Sequence, residues 1–141
     1  MKTILSYFTF FLTGFLLQAQ NTINIEMSGF ESNKGKANIG LFNEEETFLR
    51  EANWKRFSEI NNNKATATFI DIPDGIYAVS VYHDENDNEK LDLIMGMIPK
   101  EDTGTSNNPK VKMGPPKWEE SIFEVKEDQV VNLKIIINSL I

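Results

Sequence analysis

From Asn21 onward the chain runs in short segments whose apolar residues fall at every second position, and this period limits the fold more than any other feature. Side chains of an extended strand alternate between two faces, so such a segment buries one face and wets the other, whereas a helix repeats every three to four residues. Thr22 to Met27 places Ile23, Ile25 and Met27 on one side, and Lys36 to Phe42 reads as its hairpin partner across a turn containing Gly29 and Gly35. Lys64 to Ile72 sets Ala65, Ala67 and Phe69 against Thr66, Thr68 and Ile70. Pro73-Asp74-Gly75 reads as a turn in which proline presets φ and glycine takes a position needing positive φ. Ile76 to His83 is the most strand-like stretch, with Tyr77, Val79, Val81 and His83 as the core-facing set; Val130 to Ile137 closes the chain with Val131, Leu133, Ile135 and Ile137 on one side. The helical signal is Asn43-Glu44-Glu45-Glu46, where Asn43 suits a cap and the acids suit the positive end of a short helix through Glu51.

About six or seven such strands in about 120 residues, without long helices between them, predict an all-β chain: an antiparallel β-sandwich with one short helix and a long loop. The long loop runs from Asp84 to about Trp118, where alternation fades and Pro109, Pro115, Pro116, Gly96, Gly104 and Gly114 accumulate. A connection of that length in a compact domain is usually functional or disordered. Within it, Ile94, Met97, Ile98 and Trp118 either form a recognition patch or fold back over an open end of the sandwich, and Trp54 and Phe57 carry the same two readings.

Ahead of the strands, Met1-Lys2-Thr3 carries one positive charge, and Ile4 to Leu17 is apolar apart from Ser6, Thr9, Thr13 and Gly14. A spanning helix needs about 20 such residues, so this run reads as a secretory signal cleaved after Ala19. The expected organisation is a signal peptide over residues 1–19 and one β-sandwich domain over 20–141. The expected destination is the periplasm or the exterior, with no membrane insertion after cleavage. Losing Lys2 takes the net charge from −7 to −8, which repels phosphate backbones and anionic lipid headgroups and argues against nucleic acid as a partner and against polybasic membrane docking. The absence of cysteine excludes disulfides, thiolate metal sites, a cysteine nucleophile and a lipidated cysteine.

The sharpest chemistry lies in His83-Asp84-Glu85-Asn86-Asp87-Asn88-Glu89-Lys90-Leu91-Asp92. Asp84, Asn86, Asn88 and Asp92 occupy positions one, three, five and nine of a calcium loop, with the Lys90 carbonyl at position seven. Hard oxygen ligands favour calcium. Glu89 stands at the turn position usually given to glycine, and Met95 stands where a helix-flanked loop has its bidentate glutamate, which argues against an EF-hand. Asp87, Glu101 or Asp102 would then have to supply the last carboxylate. A solvated acidic turn is the alternative. His83, the one histidine, sits at the rim of the core face, suited to orienting loop carboxylates. Ser106 in Gly104-Thr105-Ser106-Asn107-Asn108 lacks the G-x-S-x-G elbow of a nucleophile. Asp84, Asp87, Asp92 and Glu101 as a glycosidase pair are too crowded, and more naturally share a cation.

Pro73-Asp74-Gly75-Ile76-Tyr77-Ala78-Val79-Ser80-Val81-Tyr82-His83-Asp84-Glu85-Asn86, then Lys90-Leu91-Asp92, Gly96-Met97-Ile98-Pro99-Lys100-Glu101 and Gly114-Pro115-Pro116, resemble the DUF2141 family of small secreted bacterial proteins. The resemblance covers about Ile23 to Ile137 and implies a fold and a compartment, but no reaction. Family members usually carry glycine where Glu89 stands, and an aromatic-containing stretch where this chain reads Gly104-Thr105-Ser106-Asn107. Pro73 to Val81 is also similar to the strand-turn-strand corner of transthyretin-like and carboxypeptidase-regulatory sandwiches, implying a prealbumin-like or immunoglobulin-like fold with Tyr77 as a core or corner residue. The leading functional expectation is a secreted, non-enzymatic binding module with a calcium loop and a protein or glycan partner. A small enzyme using His83 with Asp84 or Glu101, and a metal-free structural domain, are the competing readings.

Overall fold

The computed structural model describes residues 20–110 and 112–139, so the expected signal peptide lies outside the described residues. The elements are β1 (Asn21–Ser28), β2 (Lys36–Phe42), β3 (Trp54–Glu59), β4 (Lys64–Ile72), β5 (Gly75–Asp84), β6 (Leu93–Ile94), β7 (Ile98–Pro99), β8 (Thr103–Thr105), α1 (Trp118–Ser121), β9 (Phe123–Val125) and β10 (Val130–Ile136). One sheet has the order β10-β1-β4 and the other β3-β2-β5, with β8 and β9 sharing the free edge of β5. Pairing is antiparallel except between β1 and β10, the first and last strands, which run parallel. Reciprocal backbone hydrogen bonds between Thr103 and Asn138, of 3.0 and 2.9 Å, tie the two sheets together at one end.

The alternating residues meet between the sheets. Ile23, Ile25, Met27, Ala65, Phe69 and Ile135 face Ala37, Ile39, Leu41, Tyr77, Val79 and Val81, all buried in one cluster. The inward set read from the sequence on β5 is the inward set here, His83 included at 1 % exposure. Tyr77 is a corner residue: its ring is buried and its hydroxyl donates to the Pro73 carbonyl at 2.7 Å.

Several local expectations are corrected. β1 and β2 are not a hairpin, because both edges of β1 are taken by β4 and β10, and β2 crosses to the opposing sheet. Their apolar faces stack across the core instead of lying side by side. No helix forms over 43–51; the segment is a run of turns in which Leu49 adopts φ +64°, outside the helical region. The short helix is α1, whose Trp118 packs edge-on against Phe48 at 5.5 Å, in a second small cluster with Phe42 and Ala78. Gly75 does not use positive φ; at this corner Asp71 does, at +56°. A register shift there pairs Asn21 with Ile72 but Ile23 with Phe69, the signature of a bulge. The extra residue switches parity, so Ile70 stays 59 % exposed while Ile72 is buried. The long loop also carries more regular structure than its sequence suggests: the β6–β7 hairpin, β8 and α1 all lie within or at the end of it.

Candidate functional site

β5 ends in His83 and Asp84, so the longest strand of the second sheet delivers both side chains to the start of the acidic loop. The His83 ring stacks edge-on against Phe30 at 5.3 Å, and its Nε2 lies 2.7 Å from the Lys34 carbonyl. A carbonyl only accepts, so Nε2 carries the proton of that bond. Nδ1 faces Glu85 Oε1 at 4.0 Å. The imidazole is thus held by the β1–β2 connection on one side and by the loop on the other.

Asp84 is fully buried and organises the loop backbone. Its Oδ1 accepts from the Asn88 amide at 3.1 Å and its Oδ2 from the Glu89 amide at 2.8 Å. Asn86 Oδ1 accepts from the Asn88 amide at 3.3 Å, and Asn88 Oδ1 from the Lys90 amide at 3.0 Å. Each short polar side chain therefore caps the amides just ahead of it, and the backbone curls around the side-chain oxygens. Glu89 adopts φ +60°, the conformation that glycine supplies at this position at lower cost. Strands, not helices, flank the loop.

Asp92 is the point of convergence. Asn86 Nδ2 donates to its Oδ2 at 2.6 Å, and Asn88 Nδ2 donates to its Oδ1 at 3.0 Å. These amide donors hold the Asp92 carboxyl below its usual pKa. From beyond the β6–β7 hairpin, Glu101 returns to the loop, its Oε2 accepting the Asp92 amide at 3.3 Å. Its Oε1 is shut off from solvent and accepts no hydrogen bond from any described residue. Burial, reinforced by the charges of Asp92 and Asp84, pushes the Glu101 carboxyl up. Asp87 points elsewhere, into a 3.1 Å ion pair with Lys36. A cleft of about 350 Å³ opens beside these groups, lined by Glu31, His83, Glu85, Asp92, Glu101 and Asp102 among others.

Asp84, Asn86, Asn88 and Asp92 are thus linked directly by hydrogen bonds, and the Lys90 amide joins the same network. Among the described residues no three His, Asp or Glu side chains form a ready-made metal centre, so any cation here would depend on amide and backbone oxygens as well. Ser106 is remote from this chemistry. Its buried hydroxyl accepts from the Val79 amide at 2.9 Å and donates to the Ser121 carbonyl, a structural role. Val79 lies four residues before His83 on the same strand, about 13 Å away.

The sequence did not mark Lys34 or Tyr82 as neighbours of the site. Lys34 reaches His83 only through a carbonyl that any residue would present. Tyr82 accepts a hydrogen bond from Asn38 Nδ2. Burial, with Asp84 and Glu101 adding to it, pushes its phenol up to about 12. A folded-state pKa above the unfolded value of 10.0 means that the folded protein holds this proton more tightly. The resulting stability is fully present below pH 10.0 and is lost as pH rises toward about 12. In an absorbance titration of tyrosinate, this phenol is expected to ionise only near that upper value or on unfolding; a midpoint near 10 for every tyrosine would contradict its half-buried placement beside Asp84 and Glu101.

No curated protein and no solved structure matches this chain, and the likeness of Pro73 to Val81 to transthyretin-like corners is not confirmed. The family model for an uncharacterized protein conserved in bacteria, DUF2141, matches residues 25–133, most of the sandwich and the whole acidic loop, and the chain belongs to that family.

Proposed function

We propose that this protein is an exported, non-enzymatic β-sandwich module whose acidic loop binds calcium. The ligands are side-chain oxygens of Asp84, Asn86, Asn88 and Asp92, the Lys90 carbonyl, and Glu101 as the closing carboxylate. The observation that carries this reading is the buried, unpartnered Oε1 of Glu101 beside the loop. A carboxylate oxygen removed from water without a donor is costly, and a divalent cation would compensate it. Asp92 would exchange its two amide donors for the metal, and Asn86 and Asn88 would turn their oxygens inward. Export rests on the apolar leader, and the partner is a protein or glycan of the periplasm or exterior. Among the described residues no helix is long and apolar enough to cross a membrane.

The test is the thermal unfolding midpoint in chelator and across a calcium series to about 10 mM, since extracellular calcium modules bind in the 10⁻⁴–10⁻³ M range. At about 100 times Kd, native-state binding adds about 2.7 kcal/mol, equivalent to roughly 10 °C here. Magnesium should do much less, because it demands tighter octahedral geometry. Glu101→Gln should fold and lose most of the calcium increment. A flat calcium series would overturn the reading.

A further inference from the structure

Of the large apolar side chains exposed on this molecule, six crowd into eight residues: Leu91, Leu93, Ile94, Met95, Met97 and Ile98. They form the β6–β7 hairpin, closed by a turn in which the Met97 amide donates to the Ile94 carbonyl at 3.2 Å. Met95 and Met97, at the tip, are 88 % and 79 % exposed. Met95 also sits at φ +55°, a turn position that favours asparagine, aspartate or glycine. Neither core packing nor turn chemistry accounts for a methionine there, and strain kept at an exposed apolar tip points to contact with something outside the chain.

The hairpin is fastened at its base to the proposed calcium site. The Lys100 amide donates to the Asp92 backbone carbonyl at 2.8 Å, and the Asp92 amide donates to Glu101, so the two stems end at two of the ligand residues. No charged residue occurs between Leu93 and Pro99, while Lys90 and Lys100 stand exposed on either side of the stretch.

We propose, resting on the calcium reading above, that this hairpin docks the protein on an anionic lipid bilayer in a calcium-dependent way. The tip is convex, as suits insertion between headgroups, and methionine adapts to an irregular apolar environment. Lys100 lies three positions after Met97, about 10 Å of extended chain. This matches the roughly 5–10 Å depth at which interfacial apolar groups sit, leaving Lys100 level with lipid phosphates. Without calcium, the carboxylates of the acidic loop, which leads directly into the hairpin, repel the headgroups, and salt screens that repulsion only beyond about 8 Å. A bound cation lowers that repulsion and holds the base of the hairpin together. The contact is peripheral and needs no spanning segment.

The test is co-sedimentation of the mature protein with vesicles of equal parts phosphatidylcholine and phosphatidylglycerol, in calcium and in chelator. The unfolding midpoint is measured in the same buffers. Calcium is expected to raise the pelleted fraction by about tenfold or more, and Met95→Asp with Met97→Asp to abolish that gain while the calcium shift in midpoint persists. A calcium-shifted midpoint without vesicle binding overturns the docking proposal alone. No shift in midpoint overturns the calcium reading beneath it. Binding that ignores the tip substitutions, or a tip-dependent dimer in solution that leaves vesicles untouched, also overturns the proposal, the latter assigning the tip to a second copy.

Discussion

Gly35→Ala is expected to lower the unfolding midpoint by about 12 °C, corresponding to about 3 kcal/mol for a domain of this size. Gly35 has φ +65°, and a Cβ built there would lie 1.9 Å from the Asp84 carbonyl oxygen. The conformational part costs about 1–2 kcal/mol for an L side chain, and the clash with backbone adds a forced displacement of similar size. That displacement acts on Asp84, so the calcium increment should fall along with the stability. Gly96→Ala separates the two parts, because Gly96 also has positive φ, +71°, but nothing lies within 4 Å of its Cβ position. It should cost only the conformational part. Equal effects at the two glycines would show that the close approach of the β1–β2 connection to the loop is not a constraint.

Phe69→Ala is expected to be the most damaging core truncation, at about 3–5 kcal/mol. The ring is fully buried on the inner face of β4, and the Arg56 guanidinium sits 5.3 Å from its centroid. Its neighbour Ile70 is 59 % exposed on the opposite face, so Ile70→Ala should change stability by less than about 0.5 kcal/mol. Ile72→Ala, past the Asp71 bulge, should again be costly, at about 2–4 kcal/mol. Denaturant unfolding of the three variants reads the parity of this strand directly. A cost at Ile70 larger than at Ile72 would place the bulge elsewhere.

The same strand shows where sequence reading stops. Alternation from Ala65 to Phe69 names the buried face correctly, yet continuing it would put Ile72 on the solvent side with Ile70. The bulge that reverses this is marked by nothing more than an aspartate in a strand. Asn21 is similar: it opens β1 as an ordinary polar residue but is fully buried, donating to Ile72 and Asp74 and accepting the Gln129 amide at 2.8 Å. Those partners come from segments far away in the chain, so no local pattern announces them. The expected helix at Asn43 failed for the converse reason. Asn43 instead donates its amide to Asn53 Oδ1, Phe48 is drawn into a cluster with Phe42 and Trp118, and tertiary packing outweighs a propensity worth only tenths of a kcal/mol per residue.

The acidic loop was legible because its geometry is local: Asp84, Asn86 and Asn88 cap amides within five residues, and spacing alone dictates that curl. The existence of β1, β2, β4, β5 and β10 and the inward faces of β1, β5 and β10 were legible for the same reason, since pleating depends on the next residue but one, whereas β3 and the short strands β6 to β9 were not. Strand partners were not. Two stretches with equal alternation can lie edge to edge or face to face, and β1 and β2 chose the second because β4 and β10 occupied both edges of β1. The meeting of Glu101 with Asp92, the grip of the Lys34 carbonyl on His83, the exposure of Met95 and the partial burial of Trp118 are likewise products of the tertiary structure. Each depends on which distant backbone reaches a given surface, a contact that the period of a sequence does not encode.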